Sequence, residues 1–212
     1  SNFLNGPAMS REEAVQAITT GIEITNLAID EGATLIGTGE VGIGNTTTSS
    51  AVLYAFTGTD LDMIVGRGAG LSDEGLFKKK DVIKKGFEFN KPDPSDAIDV
   101  LAKVGGFDIA GLTGVYLAAA SRRIPVLIDG FISGVAAVTA SKIKPETKNF
   151  MFTSHVSVEP GAVKVGKLLG LNPMLDMNMR LGEGTGCALA FNIIEAATRI
   201  MNEMGTFADI GM

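Results

Sequence analysis

Two glycine-rich loops, each carrying a glutamate, stand far apart in the sequence. The first covers residues 37–47 and contains Glu40, and the second covers residues 180–186 and contains Glu183. Each follows an apolar, strand-like run and leads into a helix of small residues. Because a glycine-rich turn at a helix start exposes backbone N–H groups that favour anions, a carboxylate there would repel a phosphate. The pattern therefore indicates a site in which one part holds an anion while a glutamate handles a proton beside it.

Glu183 has the sequence context of a general base. Met177, Met179 and Leu181 precede it, and such apolar neighbours would desolvate its carboxylate and raise its pKa. Glu40 stands in a similar glycine-rich context and is predicted to orient the reacting groups or to relay the proton. The pattern alone equally allows a solvent-exposed glutamate in a loop, or a charge that complements a helix dipole.

Two other chemistries match parts of these segments. Residues 37–42 fit the dinucleotide fingerprint Gly-x-Gly-x-x-Gly, and Asp60 and Asp62 follow about 20 residues later. A glutamate inside the fingerprint and the Asn-Thr-Thr after it argue against a nicotinamide cofactor, although an oxidoreductase stays open as an alternative. The run from Ser154 to Ser157 has the residue types of a nucleophile and a base. No Gly-x-Ser-x-Gly elbow accompanies it, so a hydrolase is disfavoured.

The composition is that of a globular chain without a nucleic-acid surface. With 212 residues, 45% of them hydrophobic and 20% charged, the chain is long enough to bury a substantial core. The net charge of −6 argues against nucleic-acid binding. No apolar run reaches the length of a membrane span and no signal peptide is recognisable, so no membrane association is expected.

Cysteine and histidine each occur once. Cys187 allows no internal disulfide, which fits a reducing cytoplasm, and its small-residue surroundings predict a core position. His155 alone excludes a multi-histidine metal site and is interpreted as a structural hydrogen-bonding residue. Residues 1–7 contain no initiator methionine, and we expect the chain to be a fragment of a longer protein.

Alternating strand-like and helical segments must position these residues. Ser10 and Glu13 form the signature of a capping box, which predicts that an amphipathic helix over 11–30 begins there. The apolar runs and breakers that follow predict further elements. These are strands at 33–37, 62–65, 124–128 and 150–153, a short strand or loop at 108–110, a strand or extended segment at 174–179, and helices at 46–56, 78–89, 96–104, 111–123, 131–142, 160–169 and 184–204.

This alternation predicts an α/β fold with a mostly parallel, Rossmann-like sheet that helices cover on both faces. In such sheets the loops that follow the strands share one edge, and ligands bind there. We therefore expect the residues after the strands to form one site, and we treat residues 1–212 as one α/β domain. The residues gathered at that edge are Glu40, Gly68, Asp129, Ser157 and Glu183.

Together these motifs resemble the nicotinate-nucleotide–dimethylbenzimidazole phosphoribosyltransferase family of cobalamin lower-ligand assembly. The resemblance covers essentially the whole chain, and its specificity lies in the order and spacing of several segments. Some members carry Pro where this chain has Thr48. The segments are Gly39-Glu40-x-Gly42-x-Gly44-Asn45-Thr46-Thr47, Gly66-x-Gly68-Ala69-Gly70-Leu71, Ile98-Asp99-Val100-Leu101, Lys103-Val104-Gly105-Gly106-Phe107-Asp108, Pro125-Val126-Leu127-Ile128-Asp129-Gly130-Phe131, Ser154-His155 and Arg180-Leu181-Gly182-Glu183-Gly184.

The resemblance implies transfer of phosphoribose from nicotinate mononucleotide to a benzimidazole nitrogen, giving an α-ribazole phosphate and nicotinate. In this family the glutamate that matches Glu183 is the general base, and Glu40 is predicted to assist it. Nicotinate is already a pyridinium in the donor and leaves without acid help. The leaving group is not pyrophosphate, so the resemblance implies no metal and no other cofactor.

Specific roles follow from combining the resemblance with the residues. Val41, Met179 and Leu181 are predicted to line an apolar slot for the flat acceptor, beside the loop residues Gly42, Gly44 and Asn45. Lys79 is predicted to be the cation for the donor phosphate, although a lysine-rich run such as 78–85 more often forms a solvated helix face. The other predicted donor ligands are Gly68, Gly130 and Ser157 for the phosphate and Asp129 for the ribose hydroxyls.

The family also sets expectations for assembly. Its chains begin well upstream of Ser1, and N-terminal segments complete a small helical subdomain with the C-terminal helix, here residues 184–212. A homodimer in the cytoplasm is expected. A non-catalytic nucleotide-binding fragment or paralogue remains the main alternative to an active transferase.

Overall fold

The computed structural model describes residues 1–211 and shows a mixed α/β fold with a parallel three-stranded sheet. The strands are β1 (Ile36–Gly37), β2 (Val126–Ile128) and β3 (Met151–Thr153), arranged in the order β1-β2-β3. Ile36 is paired with Val126, and Leu127 with Phe152. The predicted parallel sheet is confirmed, although its strands are shorter than the apolar runs suggested.

Helices make up most of the described chain. Ser10 accepts a hydrogen bond from the Glu13 N–H and the Glu13 side chain accepts one from the Ser10 N–H, so the predicted capping box is confirmed. None of these helices is long and apolar enough to cross a membrane. They are α1 (Arg11–Asp30), α2 (Thr46–Thr57), α3 (Leu61–Ile64), α4 (Asp73–Asn90), α5 (Ala97–Val104), α6 (Phe107–Ser121), α7 (Phe131–Ile143), α8 (Gly161–Leu169) and α9 (Thr185–Glu203), with 3₁₀ turns at Pro145–Phe150 and Phe207–Ile210.

The side chains of β2 alternate between two apolar layers, as the two faces of a strand require. Leu127 packs with Cys187 and Ala190 of α9. Val126 and Ile128 belong to the larger core on the other side. All three strand residues are buried, so the prediction of helices on both faces of the sheet is confirmed.

Three strand predictions are wrong or incomplete. The segment at 62–65 lies largely in the short helix α3, because the Asp60 carboxylate accepts the Asp62 N–H and starts a helical turn. The segment at 108–110 lies in the first turns of α6. The segment at 174–179 contributes only an isolated parallel bridge between Leu175 and His155.

Helices α1 and α6 pack along each other through glycines. A Cβ atom added at Gly114 would lie 2.0 Å from the Ile18 carbonyl oxygen. One added at Gly21 would lie 2.0 Å from the Gly111 carbonyl oxygen. The backbones therefore approach more closely than any larger residue at Gly21 or Gly114 would allow.

Candidate active site

The two glutamate loops meet in the folded chain. The Glu183 N–H donates to the Glu40 carbonyl oxygen over 3.1 Å. A Cβ atom at Gly39 would lie only 2.4 Å from the Gly184 nitrogen. The loop after β1 and the loop before α9 are thus in direct backbone contact, although 143 residues separate the two glutamates (183 − 40).

This contact also explains the glycines of the dinucleotide-like fingerprint. Gly39 lies against Gly184, and a Cβ atom at Gly37 would lie 2.8 Å from both Cys187 and Phe191. Packing of the α9 loop and helix is therefore sufficient reason for these two glycines. The fingerprint does not need a bound pyrophosphate to account for them.

Asp129, directly after β2, binds the start of α9 through hydrogen bonds. Its Oδ2 accepts the Gly184 N–H and its Oδ1 accepts the Gly186 N–H, each over 2.9 Å. The carboxylate is 3% exposed and compensates the positive end of the helix dipole. His155 Nδ1 lies 3.7 Å from the same Oδ1. The structure thus shows Asp129 holding the second glutamate loop in place, while its predicted contact with ribose stays a prediction.

The backbone at Glu183 is left-handed. Gly182, Glu183 and Gly184 have φ angles of 80°, 60° and 83°, and only the glutamate among them is a residue for which this conformation is uncommon. Backbone strain of this kind persists where surrounding contacts over-determine it, and it clusters at functional sites. Here the Asp129 and Glu40 contacts supply that support.

The Glu183 side chain is exposed within this chain. Met177 and Leu181, two of the residues expected to desolvate it, expose 58% and 65% of their own surface. Met179 is partly buried. The predicted desolvation of Glu183 is therefore not seen, because these apolar residues face outward rather than enclosing the carboxylate.

A cavity of about 750 Å³ joins the predicted site residues. Loops that follow all three strands contribute to its wall, together with the loops before α4 and α9. The predicted strand-end residues therefore lie around one cavity, and their function as one site stays a prediction. The predicted residues that line the cavity are Glu40, Val41, Gly42, Gly68, Asp129, Gly130, Ser157, Met179, Leu181 and Glu183.

Glu40 shares an amide with a second carboxylate. Asn45 Nδ2 donates to Glu40 Oε1 over 2.6 Å and to Asp108 Oδ2 over 2.9 Å, while Asn45 Oδ1 is buried without a hydrogen-bond partner. Burial and the nearby charge of Asp108 raise the pKa of Glu40, and the Asn45 hydrogen bond opposes that rise. The protonated form of Glu40 is therefore more favourable than that of an ordinary glutamate. Gly44 precedes this Asn in an exposed, left-handed turn.

Lys79 lies behind the cavity wall. It is 5% exposed, and its ammonium donates to Thr46 Oγ1 over 2.8 Å and to the Gly66 carbonyl over 2.9 Å. Burial lowers the pKa of Lys79, and the charge of Glu159 partly offsets this effect. The alternative interpretation of Lys79 as part of a solvated helix face is wrong. Its neighbour Lys80 lines the cavity and pairs with Asp62.

Three residues that sequence reasoning did not single out contribute charge here. Asp108 contacts the Glu40 network, Arg180 lines the cavity beside the second glutamate loop, and Glu159 binds the Gly68 N–H. Asp108 and Arg180 lie at the ends of recognisable motif segments, which was the available signal. Glu159 had none, because its contact crosses 91 positions of the chain.

The Ser154–Ser157 segment serves packing rather than nucleophilic chemistry at its first two positions. Ser154 is fully buried and donates to the Ile128 carbonyl over 2.7 Å. His155 is 4% exposed and lies 2.9 Å from Ser154 Oγ.

Cys187 is 2% exposed, as predicted, and burial raises the pKa of its thiol to about 12. Within residues 1–211, no three His, Cys, Asp or Glu side chains are grouped to hold a metal ion.

Comparison with known proteins agrees with this arrangement. A family model described as phosphoribosyltransferase matches residues 1–212. The chain is 58% identical over 208 residues to the nicotinate-nucleotide–dimethylbenzimidazole phosphoribosyltransferase of Ruminiclostridium cellulolyticum, covering 98% of this chain and 59% of the relative. It is 54% identical over 212 residues to the enzyme of the same name from Dehalococcoides mccartyi strain BAV1, covering 100% of this chain and 60% of the relative.

A solved structure is also similar. The crystal structure of CobT from Thermus thermophilus superposes with a TM-score of 0.94 at 38% sequence identity, over 100% of this chain and 63% of that one. The chain therefore spans less than two thirds of the length of the relatives that it matches. A family model that covers the whole chain, together with relatives above 50% identity, shows that the chain belongs to the phosphoribosyltransferase family.

Proposed function

We propose that the protein of which this chain is part transfers phosphoribose from nicotinate mononucleotide to a nitrogen of 5,6-dimethylbenzimidazole or a related base. The observation that carries this proposal is the meeting of the two glutamate loops at one cavity, whose wall includes Gly68, Gly130 and Thr46, with the buried Lys79 behind Thr46. The names of relatives at 54–58% identity support the substrates. They suggest a role in the assembly of the cobalamin nucleotide loop.

In the proposed reaction Glu183 is the general base. Its carboxylate accepts the proton of one acceptor ring nitrogen while the other ring nitrogen forms a bond to the anomeric carbon of the ribose. The bond from that carbon to nicotinate breaks, and its electron pair neutralises the pyridinium nitrogen. Displacement on the face opposite the leaving group converts the β linkage into an α linkage.

Glu40 is proposed to assist in this proton transfer. Two observations support this role: the pKa of Glu40 is raised, and its backbone carbonyl accepts the Glu183 N–H, so the two glutamate loops are adjacent. Asn45 fixes the Glu40 carboxylate by its hydrogen bond. Acceptor stacking is assigned to Val41, Met179 and Leu181, next to Gly42 and Gly44.

The donor phosphate is proposed to contact the opposite wall. Gly68, Gly130 and Ser157 supply backbone and hydroxyl donors there. Lys79 acts through Thr46, because the Thr46 oxygen accepts from Lys79 and its own proton is then available to a phosphate oxygen. Asp129 keeps the α9 loop in register and is proposed to reach the ribose hydroxyls with its remaining acceptor capacity.

The exposure of Glu183 favours a second candidate function, nucleotide binding without turnover by this portion of the protein alone. A homodimer in the cytoplasm is further proposed from the family. Packing of residues 184–212 within a small helical subdomain is likewise proposed from the family, as is the Rossmann-like character of the sheet.

The two candidate functions separate in one assay. Nicotinate release from nicotinate mononucleotide is measured by chromatography with and without 5,6-dimethylbenzimidazole. The transferase predicts release only when the base is present, together with an equal amount of α-ribazole phosphate. Donor binding without release supports the non-catalytic alternative. Titration with NAD and NADP tests the oxidoreductase, which requires binding of one of them.

A further inference from the structure

Glu159, in the loop before α8, forms an unusual contact in the cavity wall. Its Oε1 accepts the Gly68 N–H over 3.0 Å. Its Oε2 is buried and has no hydrogen-bond partner. A Cβ atom at Gly66 would lie 2.0 Å from that oxygen, so the carboxylate presses directly against the Gly66–Gly70 loop.

A buried carboxylate oxygen without a donor costs free energy, and such groups call for an explanation. Partial compensation comes from the positive charge of Lys79, which interacts favourably with the charge of Glu159. Lys79 directs its hydrogen bonds to Thr46 and Gly66 instead. The carboxylate is therefore held by one backbone amide and by the field of a cation, which are the same two features that a phosphate would use.

We propose that the Glu159 carboxylate occupies the anion position of the Gly66–Gly70 loop and is displaced from it by the phosphate of the donor. The identity of that donor rests on the proposed function, whereas the exchange of one anion for another does not. A phosphate that binds the Gly68 N–H must displace the Glu159 carboxylate from it, because two anions in adjacent positions repel each other. The free-energy cost of this displacement lowers the affinity only of ligands that carry a phosphate.

Replacing the carboxylate by a neutral group tests this exchange. Glu159→Gln keeps an oxygen for the Gly68 N–H and removes the charge, and Glu159→Ala removes the side chain without adding a new donor. Dissociation constants of inorganic phosphate, nicotinate mononucleotide and the phosphate-free nicotinate riboside are measured by calorimetry near pH 7. Glu146→Gln, an exposed glutamate in a 3₁₀ turn outside this cavity wall, is the control.

Both Glu159 variants should bind phosphate and the mononucleotide on the order of tenfold more tightly, since a like charge has been removed. Binding of the riboside should be unchanged, and the control should match the wild type. A purely structural role predicts instead that all ligands bind more weakly. Unchanged or weaker phosphate binding in both variants overturns the proposal.

The design also separates this proposal from the proposed function. If the wild type binds the mononucleotide and neither variant gains affinity, the donor stands and the exchange at Glu159 is wrong. If the mononucleotide fails to bind any form while inorganic phosphate gains tenfold, the exchange stands and the proposed donor is wrong.

Discussion

At the scale of single residues, the pair formed by Glu40 and Asp108 is the feature with the clearest electrostatic consequence. Both carboxylates accept hydrogen bonds from the one Asn45 amide. Burial and the second charge make the ionised form of Glu40 less favourable than in water, which raises its pKa. Glu183, the proposed base, is exposed, so the two glutamates differ in environment.

The raised pKa of Glu40 predicts a pH-dependent effect of Glu40→Gln on stability. Since the folded pKa lies above the unfolded value of about 4.3, the contribution of Glu40 is favourable at lower pH and is lost as the pH rises through the folded pKa. The Gln side chain of the variant cannot ionise, so the variant does not lose stability in this way as the pH rises. Its Tm should exceed that of the wild type by about 2 °C at pH 8 and match it at pH 4.

Thermal unfolding followed by circular dichroism between pH 4 and pH 8 measures this difference. Glu23→Gln, on the exposed side of α1, serves as the control. A Tm difference for Glu40→Gln that is constant or that shrinks with rising pH would contradict the assignment of Glu40.

At the scale of elements, local signals predicted the helices better than the strands. The capping box located the start of α1, and the small-residue runs located α2 and α9 to within a residue or two. The apolar run at 62–65 was ambiguous because its three apolar residues, Met63, Ile64 and Val65, fit either element. The Asp60 side chain, which accepts the Asp62 N–H, favoured the helix.

The close packing of α1 on α6 predicts opposite effects for two glycines of the same helix. Gly114→Ala would place a Cβ atom 2.0 Å from the Ile18 carbonyl oxygen, a backbone atom with no room to yield. It should destabilise the fold by about 1–3 kcal/mol. Gly111→Ala meets only the Ala17 carbonyl oxygen at 3.9 Å and should stabilise the helix by roughly 0.5–1 kcal/mol.

Urea unfolding of both variants compares these effects within a single helix. Equal changes in the free energy of unfolding for the two variants would show that the helices are farther apart than described. A Gly114→Ala variant as stable as the wild type would show this most directly.

At the scale of the whole molecule, the rule that ligands bind at the strand ends predicted most of the cavity wall. It did not predict Glu159 or Asp108, because their contacts span 91 and 63 positions and depend on the packing of separate loops. The desolvation expected of Glu183 also failed, since neighbours in sequence turned outward. Sequence reasoning placed the proposed catalytic residues at one edge of the sheet, while their burial and their hydrogen-bond partners depended on tertiary structure.

One face of α9 carries apolar residues that are only partly buried in the chain described. Ala190 is fully buried against β2, whereas Ile193 and Ile200 expose 37% and 53% of their surface. The relatives are longer than this chain, which covers 59% of the Ruminiclostridium cellulolyticum enzyme. Packing of this face in a small helical subdomain stays a prediction.

The central claim is that the two glutamate loops form one base-catalysed transfer site. The most direct test is nicotinate release by Glu183→Gln in the presence of 5,6-dimethylbenzimidazole, with donor binding measured in parallel and Glu195→Gln on α9 as the control. The account predicts that release falls by about 10²–10⁴-fold while the donor binds within twofold of the wild type, because only the proton acceptor is lost. Release at the wild-type rate would contradict it.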